Sequence, residues 1–445
     1  MIKMINLKTL SWFDEKLPEW YLIEEKFKEI IKKNYSLSGF TPIDTPNVER
    51  VEVLTSKWAD DNEIYGIKRL KAEWKEAENF EMGLRFDLTV PLARYISKYE
   101  WEISFPFKRQ HIARVYRWER PQKGRYREFY QADVDIIWNG KLPLFADTEI
   151  LSTIYSSLKE LEFWSFEINI NNKKLLSGFL ENLNIIKIAE IISVIDKKDK
   201  VSKEKLTTMF ESNNLDKKQI KQILELINLS EDKTKTNLEI IKYFEQFDNE
   251  LLKEGLNDLK YVYNNLLSLG VEEKYLKINP AISRGLNYYT GLVFETFIDW
   301  AENMWSISSW WRYDDLCSNF SKNNFPWVGW SIWLSRLLAV LDELKLLEYN
   351  KKTLTEALVL NMWEENLEQN LNLVKNLRDN WINTEIYLDS NTKFAKQIKY
   401  ADNKKIKYIV IQGKNEIVNW IVQVKNLENW EQEEMNIKNL NTYLK

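Results

Sequence analysis

One cysteine and one histidine are all that the 445 residues contain. A single cysteine, Cys317, excludes a disulfide framework and any zinc site built on paired cysteines. A single histidine, His111, excludes histidine-rich metal sites and any mechanism needing two imidazoles. No nucleophile or orienting group stands near it in the sequence, so His111 reads as structural. An excess of basic charge is also missing. Lys and Arg number 63 against 67 Asp and Glu, a net charge of −4. That excludes a global basic field of the histone kind but leaves room for a local basic surface. The first ten residues have no apolar core of signal-peptide length. No apolar run approaches the roughly 18 residues of a membrane span. A soluble, cytoplasmic protein is the expectation. Glycine is scarce too: 12 residues, about a third of the usual ~7%.

What is present is an ordinary globular balance, 44% hydrophobic and 29% charged, in a chain long enough for two to three domains. Tryptophan is in excess, with 19 residues. Residues 20–34 carry Leu22, Ile23, Phe27, Ile30 and Ile31 on one helical stripe. From Phe40 to about Glu167, β-like runs alternate with turn signals, clearest at Phe107–Arg117, Phe129–Ile137 and Phe166–Ile170. Residues 172–265 are rich in Lys, Glu, Leu and Ile, hold only Gly178 and Gly255, and have no proline. Their periodicity predicts an all-helical segment. β character returns at Leu286–Phe297, and Ile332–Leu347 predicts an apolar helix. After a polar linker at Lys351 and Lys352, four β-like runs (357–361, 384–388, 408–411, 421–424) and two helical ones (367–377, 394–404) predict a small α/β domain.

Four clusters have the residue types of a charged-ligand site. Arg117-Trp118-Glu119-Arg120-Pro121-Gln122-Lys123-Gly124-Arg125 leads into Tyr126–Gln131: strand, basic loop, return strand. Residues two apart on a strand share a face, which groups Arg117 with Glu119, and Gln131 with Asp133 and Asp135. Bidentate phosphate contact is the natural use of Arg117; ordinary salt bridges on an exposed hairpin are the bland reading. The same period groups Arg85, Asp87 and Thr89, where a carboxylate beside a hydroxyl suits an ammonium group. A cap on a helix at Pro91–Lys98 explains Asp87 and Thr89 equally well. Ser283-Arg284-Gly285-Leu286-Asn287-Tyr288-Tyr289-Thr290-Gly291 offers a glycine-flanked arginine and two tyrosines facing opposite ways, although core tyrosines need no further reason. Finally, Arg336 follows Gly329-Trp330-Ser331-Ile332-Trp333 near a helix start, where the dipole disfavours a cation. An anionic partner or simple solvation accounts for it.

Together these motifs resemble the class II aminoacyl-tRNA synthetases in their histidyl-tRNA synthetase form. Arg117–Gln131 is similar to motif 2, Arg284–Gly291 to the histidine-specific signature, Arg336 to the motif 3 arginine, and Thr45-Pro46 to the motif 1 proline region at the dimer interface. The likeness spans essentially the whole chain. It implies an α+β fold: an antiparallel sheet flanked by helices, a helical insertion and a C-terminal α/β anticodon-binding domain. The boundaries expected are 1–171 and 266–350 for the two parts of the catalytic core, 172–265 for the insertion and 355–445 for the anticodon-binding domain.

The resemblance also implies roles. Arg117 would hold the ATP α-phosphate and Glu119 the adenine amino group. Arg336 and Arg125 would hold the β- and γ-phosphates. Asp87, Thr89 and Gln131 would bind the α-amino group of histidine, Asp135 and Tyr289 would read its imidazole, and Tyr288 would line the site. Arg284 would sit between the substrate carboxylate and the α-phosphate. Asn287 departs from the family, which usually has Asp there, and weakens the charge support of Arg284. The implied reaction is ATP-dependent activation of histidine followed by transfer to tRNA(His), by a homodimer, with Mg²⁺. A carboxylate is already ionised at neutral pH, so its attack on phosphorus needs alignment and charge stabilisation rather than a general base. Candidates for a local tRNA surface are the insertion and Lys123, Arg125 and Arg127. The alternatives are a histidine-sensing regulatory subunit of ATP phosphoribosyltransferase, or an inactive tRNA-binding scaffold.

The tryptophans then stand out by position. The family has glycine at or near Trp12, Trp138, Trp305, Trp310, Trp311, Trp330, Trp333, Trp363, Trp381, Trp420 and Trp430, whereas 165–299 has no tryptophan at all. Indoles at 310, 311 and 333 are expected to fill space used by ATP and the backbone approaching it. The chain is either a tryptophan-rich divergent enzyme or a gene whose UGA codons mean glycine, written out with UGA as tryptophan. The Lys, Asn and Ile richness, which implies A/T-rich codons, agrees with the second.

Overall fold

The computed structural model describes residues 5–56, 61–71, 80–120, 122, 124–162, 165–198, 200–282, 291–299, 306–313 and 316–444. The chain divides into two compact units, residues 1–14 with 28–346, and residues 15–27 with 347–445.

The larger unit is built on an eight-stranded sheet. Its strands are β1 (Thr41–Pro42), β5 (Phe107–Tyr116), β6 (Glu128–Ile137), β7 (Phe166–Asn172), β8 (Leu276–Ile278), β9 (Leu292–Ile298), β10 (Ser308–Tyr313) and β11 (Trp327–Ile332), in the order β1-β5-β6-β11-β10-β9-β7-β8. The six inner strands are antiparallel, and β1 and β8 add parallel edges. A small second sheet, β2 (Val48–Arg50), β4 (Met82–Leu84) and β3 (Gly66–Ile67), lies in the same unit. This is an α+β architecture.

Alternation along the inner strands separates the two sheet faces. On one, Ala132, Val134 and Ile136 of β6 continue through Trp330 and Ile332 of β11 to Trp310 of β10, and all are buried. Trp310 and Trp330 pack on Phe294, with ring centroids 5.1 and 5.6 Å away. Helix Phe145–Glu160 belongs to this core through Ile150, Leu151, Ile154 and Leu158. Its Asp147 makes a buried ion pair with Arg312 of β10. The other face carries Gln131, Asp133 and Asp135 of β6 beside Ser331 and Gly329 of β11. The sheet thus has an oily face and a polar one, and the polar face is where a site can be.

Six helices fill residues 173–268: Lys173–Asn182, Ile188–Ile195, Lys203–Ser212, Lys217–Glu231, Asn237–Glu245 and Glu250–Ser268. Side chains of Asn172, Ser202, Asp216, Thr236 and Asn249 cap five of them, with reciprocal capping boxes at Asp216–Gln219 and Thr236–Glu239.

The smaller unit holds a five-stranded sheet of β12 (Ala357–Val359), β13 (Thr384–Ile386), β14 (Tyr408–Ile411), β15 (Ile421–Asn426) and β16 (Gln432–Asn436), ordered β13-β12-β14-β15-β16. Val359, Val410, Val422 and Val424 pack on Leu373 and Leu377 of helix Leu367–Asp379 and on Leu440 and Leu444 of helix Ile437–Leu444. A separate cluster joins Leu358 and Ile409 to Ala401 of helix Phe394–Lys404. Both sheet faces are covered, as the nearly continuous apolar runs of β12 and β14 require.

Candidate active site

The hairpin β5–β6 positions the site. Its register sets Arg109 opposite Asp135, His111 opposite Asp133 and Ala113 opposite Gln131. On the polar face Arg109 Nε lies 2.7 Å from Asp135 Oδ2, and its Nη2 lies 3.7 Å from Asp133. All three side chains are fully buried. One guanidinium therefore balances two carboxylates, and burial pushes Asp133 up to about 7, opposed by Arg109 and reinforced by the Asp135 charge. Next along β6, Gln131 donates from Nε2 to Ser331 Oγ at 3.1 Å. Its Oε1 is buried with no protein hydrogen-bond partner. Such an acceptor calls for a donor from a ligand or water.

Asp87 reaches the same region from the start of helix Thr89–Lys98. Its Oδ1 accepts from the backbone N–H of Thr89 (3.1 Å) and Val90 (2.9 Å). Asp87 thus closes the first turn from the residue before the N-cap, Leu88, while Thr89 lies inside the helix and caps nothing, and burial raises the Asp87 pKa against those hydrogen bonds and the Arg117 charge. Arg117 follows directly after β5. Its Nε donates to Phe86 O at 3.1 Å, and its guanidinium lies between the rings of Phe86 (4.3 Å) and Phe129 (5.3 Å). Burial draws the Arg117 pKa down, while Asp87, Glu119, Glu63 and Asp133 draw it up.

In the loop, Glu119 pairs with Arg125 at 3.3 Å. Gly124 has φ +75, a left-handed conformation that presents its carbonyl to Arg336 Nε at 3.1 Å. Arg336, in the first turn of helix Leu334–Glu343, also donates to Ser306 O at 2.9 Å. Its guanidinium lies 3.6 Å over the Trp333 ring. The structure therefore gathers the buried Gln131, Asp133 and Asp135 and the half-buried Asp87 and Arg117 into one polar patch, and separately links Arg336 to the Glu119–Arg125 loop. Arg284, Asn287, Tyr288 and Tyr289 lie outside the described residues.

Two expectations are corrected. Arg85 does not share a strand face with Asp87 and Thr89, because β4 ends at Leu84 and Thr89 opens a helix. Arg85 turns elsewhere and donates to Thr45 O (2.6 Å) and Arg114 O (2.7 Å). Trp310 does not fill ligand space: the sheet pleat sends it and Trp330 to the oily face. Trp311 pairs with Gly329 in register, and of its side chain nothing is described. His111 lies with Nε2 2.9 Å from Asp44. Sequence reasoning missed Arg109 and Ser331 as site residues. Arg109 could have been found from the hairpin register, which sets it opposite Asp135.

Among the described residues, no group of three or more His, Cys, Asp or Glu side chains could hold a metal ion. None of the described helices is long and apolar enough to cross a membrane.

An α+β core with a mixed-charge sheet face and a further α/β unit is the architecture that the resemblance to the aminoacyl-tRNA synthetases implies. The family model "Histidyl-tRNA synthetase" matches residues 13–337, and the model "Anticodon binding domain" matches residues 356–445. The histidine–tRNA ligase of Finegoldia magna is 40% identical over 99% of this chain and 100% of that protein. That of Clostridium tetani is 38% identical over 98% of this chain and 97% of that protein. The crystal structure of histidyl-tRNA synthetase from Nostoc sp. PCC 7120 superposes with a TM-score of 0.90 at 32% identity, covering 99% of both chains. The chain belongs to the histidyl-tRNA synthetase family.

Proposed function

We infer that this protein is a histidine–tRNA ligase, which joins histidine to ATP as histidyl-adenylate with release of pyrophosphate and then transfers histidine to the 3′ end of tRNA(His). The family carries the reaction class, and the polar patch of Asp87, Arg117, Gln131 and Asp135 carries its assignment to a site. In our reading Arg117 faces the α-phosphate, where negative charge grows as the substrate carboxylate attacks. Its fixing between Phe86 and Phe129 supports that role, because a guanidinium held in place needs little reorganisation. Arg284 shares the α-phosphate and the substrate carboxylate. Asp87, Thr89 and Gln131 take the α-ammonium; the buried, unpartnered Gln131 Oε1 supports this. Asp135 accepts the imidazole N–H, with Tyr288 and Tyr289 completing the pocket. Glu119 takes the adenine amino group, and Arg125 and Arg336 take the β- and γ-phosphates.

Mg²⁺ comes with the nucleotide. That ion commonly binds through phosphates and one or two carboxylates rather than an all-protein cage. The reading also includes a cytoplasmic homodimer. The short edge strand β1 beside Thr45 supports an interface there, since its two residues are exposed. Residues 356–445 take the anticodon end of tRNA, which favours a ligase over a regulatory subunit.

Histidine-dependent ATP–pyrophosphate exchange tests the reading. Exchange is expected, and Arg117→Ala should slow it by about 10²-fold or more with the fold retained by circular dichroism. Exchange that ignores histidine, or an Arg117→Ala protein as fast as the parent, overturns the assignment.

A further inference from the structure

Among the described residues, nine non-glycine residues have positive φ, and four of them are tryptophan: Trp12 (68°), Trp381 (63°), Trp420 (57°) and Trp430 (62°). Glycine supplies the same number, Gly39, Gly124, Gly140 and Gly270. A bulky side chain in this region is a genuine outlier.

The local motifs explain why. At the end of helix Leu367–Asp379, the N–H of Trp381 bonds to Arg378 O (3.0 Å) and that of Ile382 to Leu377 O (3.0 Å). This is the Schellman cap, whose left-handed residue is usually glycine. The same chain closes helix Glu250–Ser268 in the same way with Gly270, by Gly270 N–H to Leu267 O and Val271 N–H to Leu266 O. Trp420 ends helix Lys414–Asn419 in left-handed geometry. Trp430 takes left-handed geometry in the loop at 427–431 between β15 and β16, the kind of position that hairpin loops longer than two residues often give to glycine.

Trp12 is only 37% exposed, but at the other three positions burial does not compensate. Trp381 is 91% exposed, Trp420 71% and Trp430 54%. Each indole thus sits on an unfavourable backbone and gains little from packing. Glu162, Asn184, Asn214, Lys345 and Lys405 also take positive φ; the asparagines tolerate it, Glu162 and the two lysines bear the same Cβ strain, and tryptophan adds to it the bulk of an indole. Inside the protein, the buried indole N–H groups of Trp327, Trp330 and Trp333 have no hydrogen-bond partner, which is unusual for buried tryptophan; of these, only 330 and 333 coincide with positions where the family has glycine.

We propose that the polypeptide made in the cell carries glycine at positions 12, 330, 333, 381, 420 and 430, its UGA codons being read as glycine. One consequence falls on the site. The Trp333 ring covers the Arg336 guanidinium at 3.6 Å, and glycine there frees one face of that cation for phosphate. This consequence rests on the ligase reading; the residue identities do not.

The test is tandem mass spectrometry of the protein purified from its own cells. The informative tryptic peptides are Asp379–Lys393 and Asn415–Lys425, each with a single tryptophan position. Glycine at 381 and 420 is expected; tryptophan at either overturns the proposal. Pyrophosphate exchange then compares the written chain with one carrying glycine at the six positions. The glycine form is expected to be at least tenfold faster. Glycine peptides with no exchange in either form would sink the ligase reading and leave the recoding standing. Tryptophan peptides with full exchange in the written chain would do the opposite.

Discussion

Trp420 shows how a single residue can conflict with the backbone it occupies. Its left-handed conformation ends one helix and starts β15 at Ile421, so the turn cannot relax without moving a central strand. L-residues are disfavoured in this region by roughly 1–2 kcal/mol, and glycine is not. Trp420→Gly and Trp381→Gly should therefore each stabilise the smaller unit by about 1 kcal/mol, despite the greater unfolded-state entropy of glycine. Trp420→Ala keeps the Cβ and should gain clearly less. Urea denaturation checks the order Gly above Ala above Trp; a Trp420→Gly protein no more stable than the parent removes the strain argument. Asp87 shows how much of the site was legible at this scale. Its sequence context allowed a helix cap or an ammonium ligand; its carboxylate accepts from the first helical N–H groups, of Thr89 and Val90, although Leu88 and not Asp87 is the N-cap. Arg85, two residues earlier, was misread because the strand period stops at Leu84.

Among the elements, those with a clean period were the legible ones. The hairpin read at 107–117 and 129–137 is observed at Phe107–Tyr116 and Glu128–Ile137. The two helices read at 367–377 and 394–404 are observed at Leu367–Asp379 and Phe394–Lys404. Helix Phe145–Glu160 was missed inside a stretch read as strands and turns. Its apolar spacing is helical, but Thr148, Ser152, Thr153, Ser156 and Ser157 favour other conformations. In the fold the hydroxyls of Thr153, Ser156 and Ser157 bond to carbonyls four residues back, at 2.8 to 2.9 Å. The two glycines of the helical segment also have a reason no periodicity reveals. A Cβ on Gly178 would lie 2.4 Å from Leu252 N, and one on Gly255 would lie 2.4 Å from Leu175 N. Helices Lys173–Asn182 and Glu250–Ser268 thus cross backbone to backbone. Alanine normally stabilises a helix interior over glycine by about 1 kcal/mol, yet Gly178→Ala should destabilise by about 2 kcal/mol, because neither backbone can yield without separating the helices. Thermal denaturation reads the sign, and a raised Tm would falsify the contact.

Across the whole molecule, burying a polar sheet face leaves opposing pH dependences. Asp133 is held neutral up to about 7 in the fold, whereas its ordinary value is 3.8. Between those values the folded chain holds a proton that the unfolded chain has lost, so this group makes stability fall as pH rises. Asp147, buried beside Arg312 and also raised to about 7, acts in the same direction. His111 acts oppositely. Burial, with the charges of Arg109 and Arg85, pulls it from 6.5 down to about 3. Between those values the unfolded chain holds the extra proton, so stability rises with pH. The windows overlap from 3.8 to 6.5, and the groups partly cancel in the parent protein. Difference profiles separate them. Asp133→Asn should gain stability relative to the parent as pH rises from about 4 to 7. His111→Gln should gain relative to the parent as pH falls from 6.5 toward 4, because glutamine has no charge to suppress. Urea midpoints of the larger unit at fixed salt give both curves. Parallel profiles for parent and variants would mean that Arg109 and Asp44 already hold these groups at their ordinary values, and that the buried face is wetter than its packing implies.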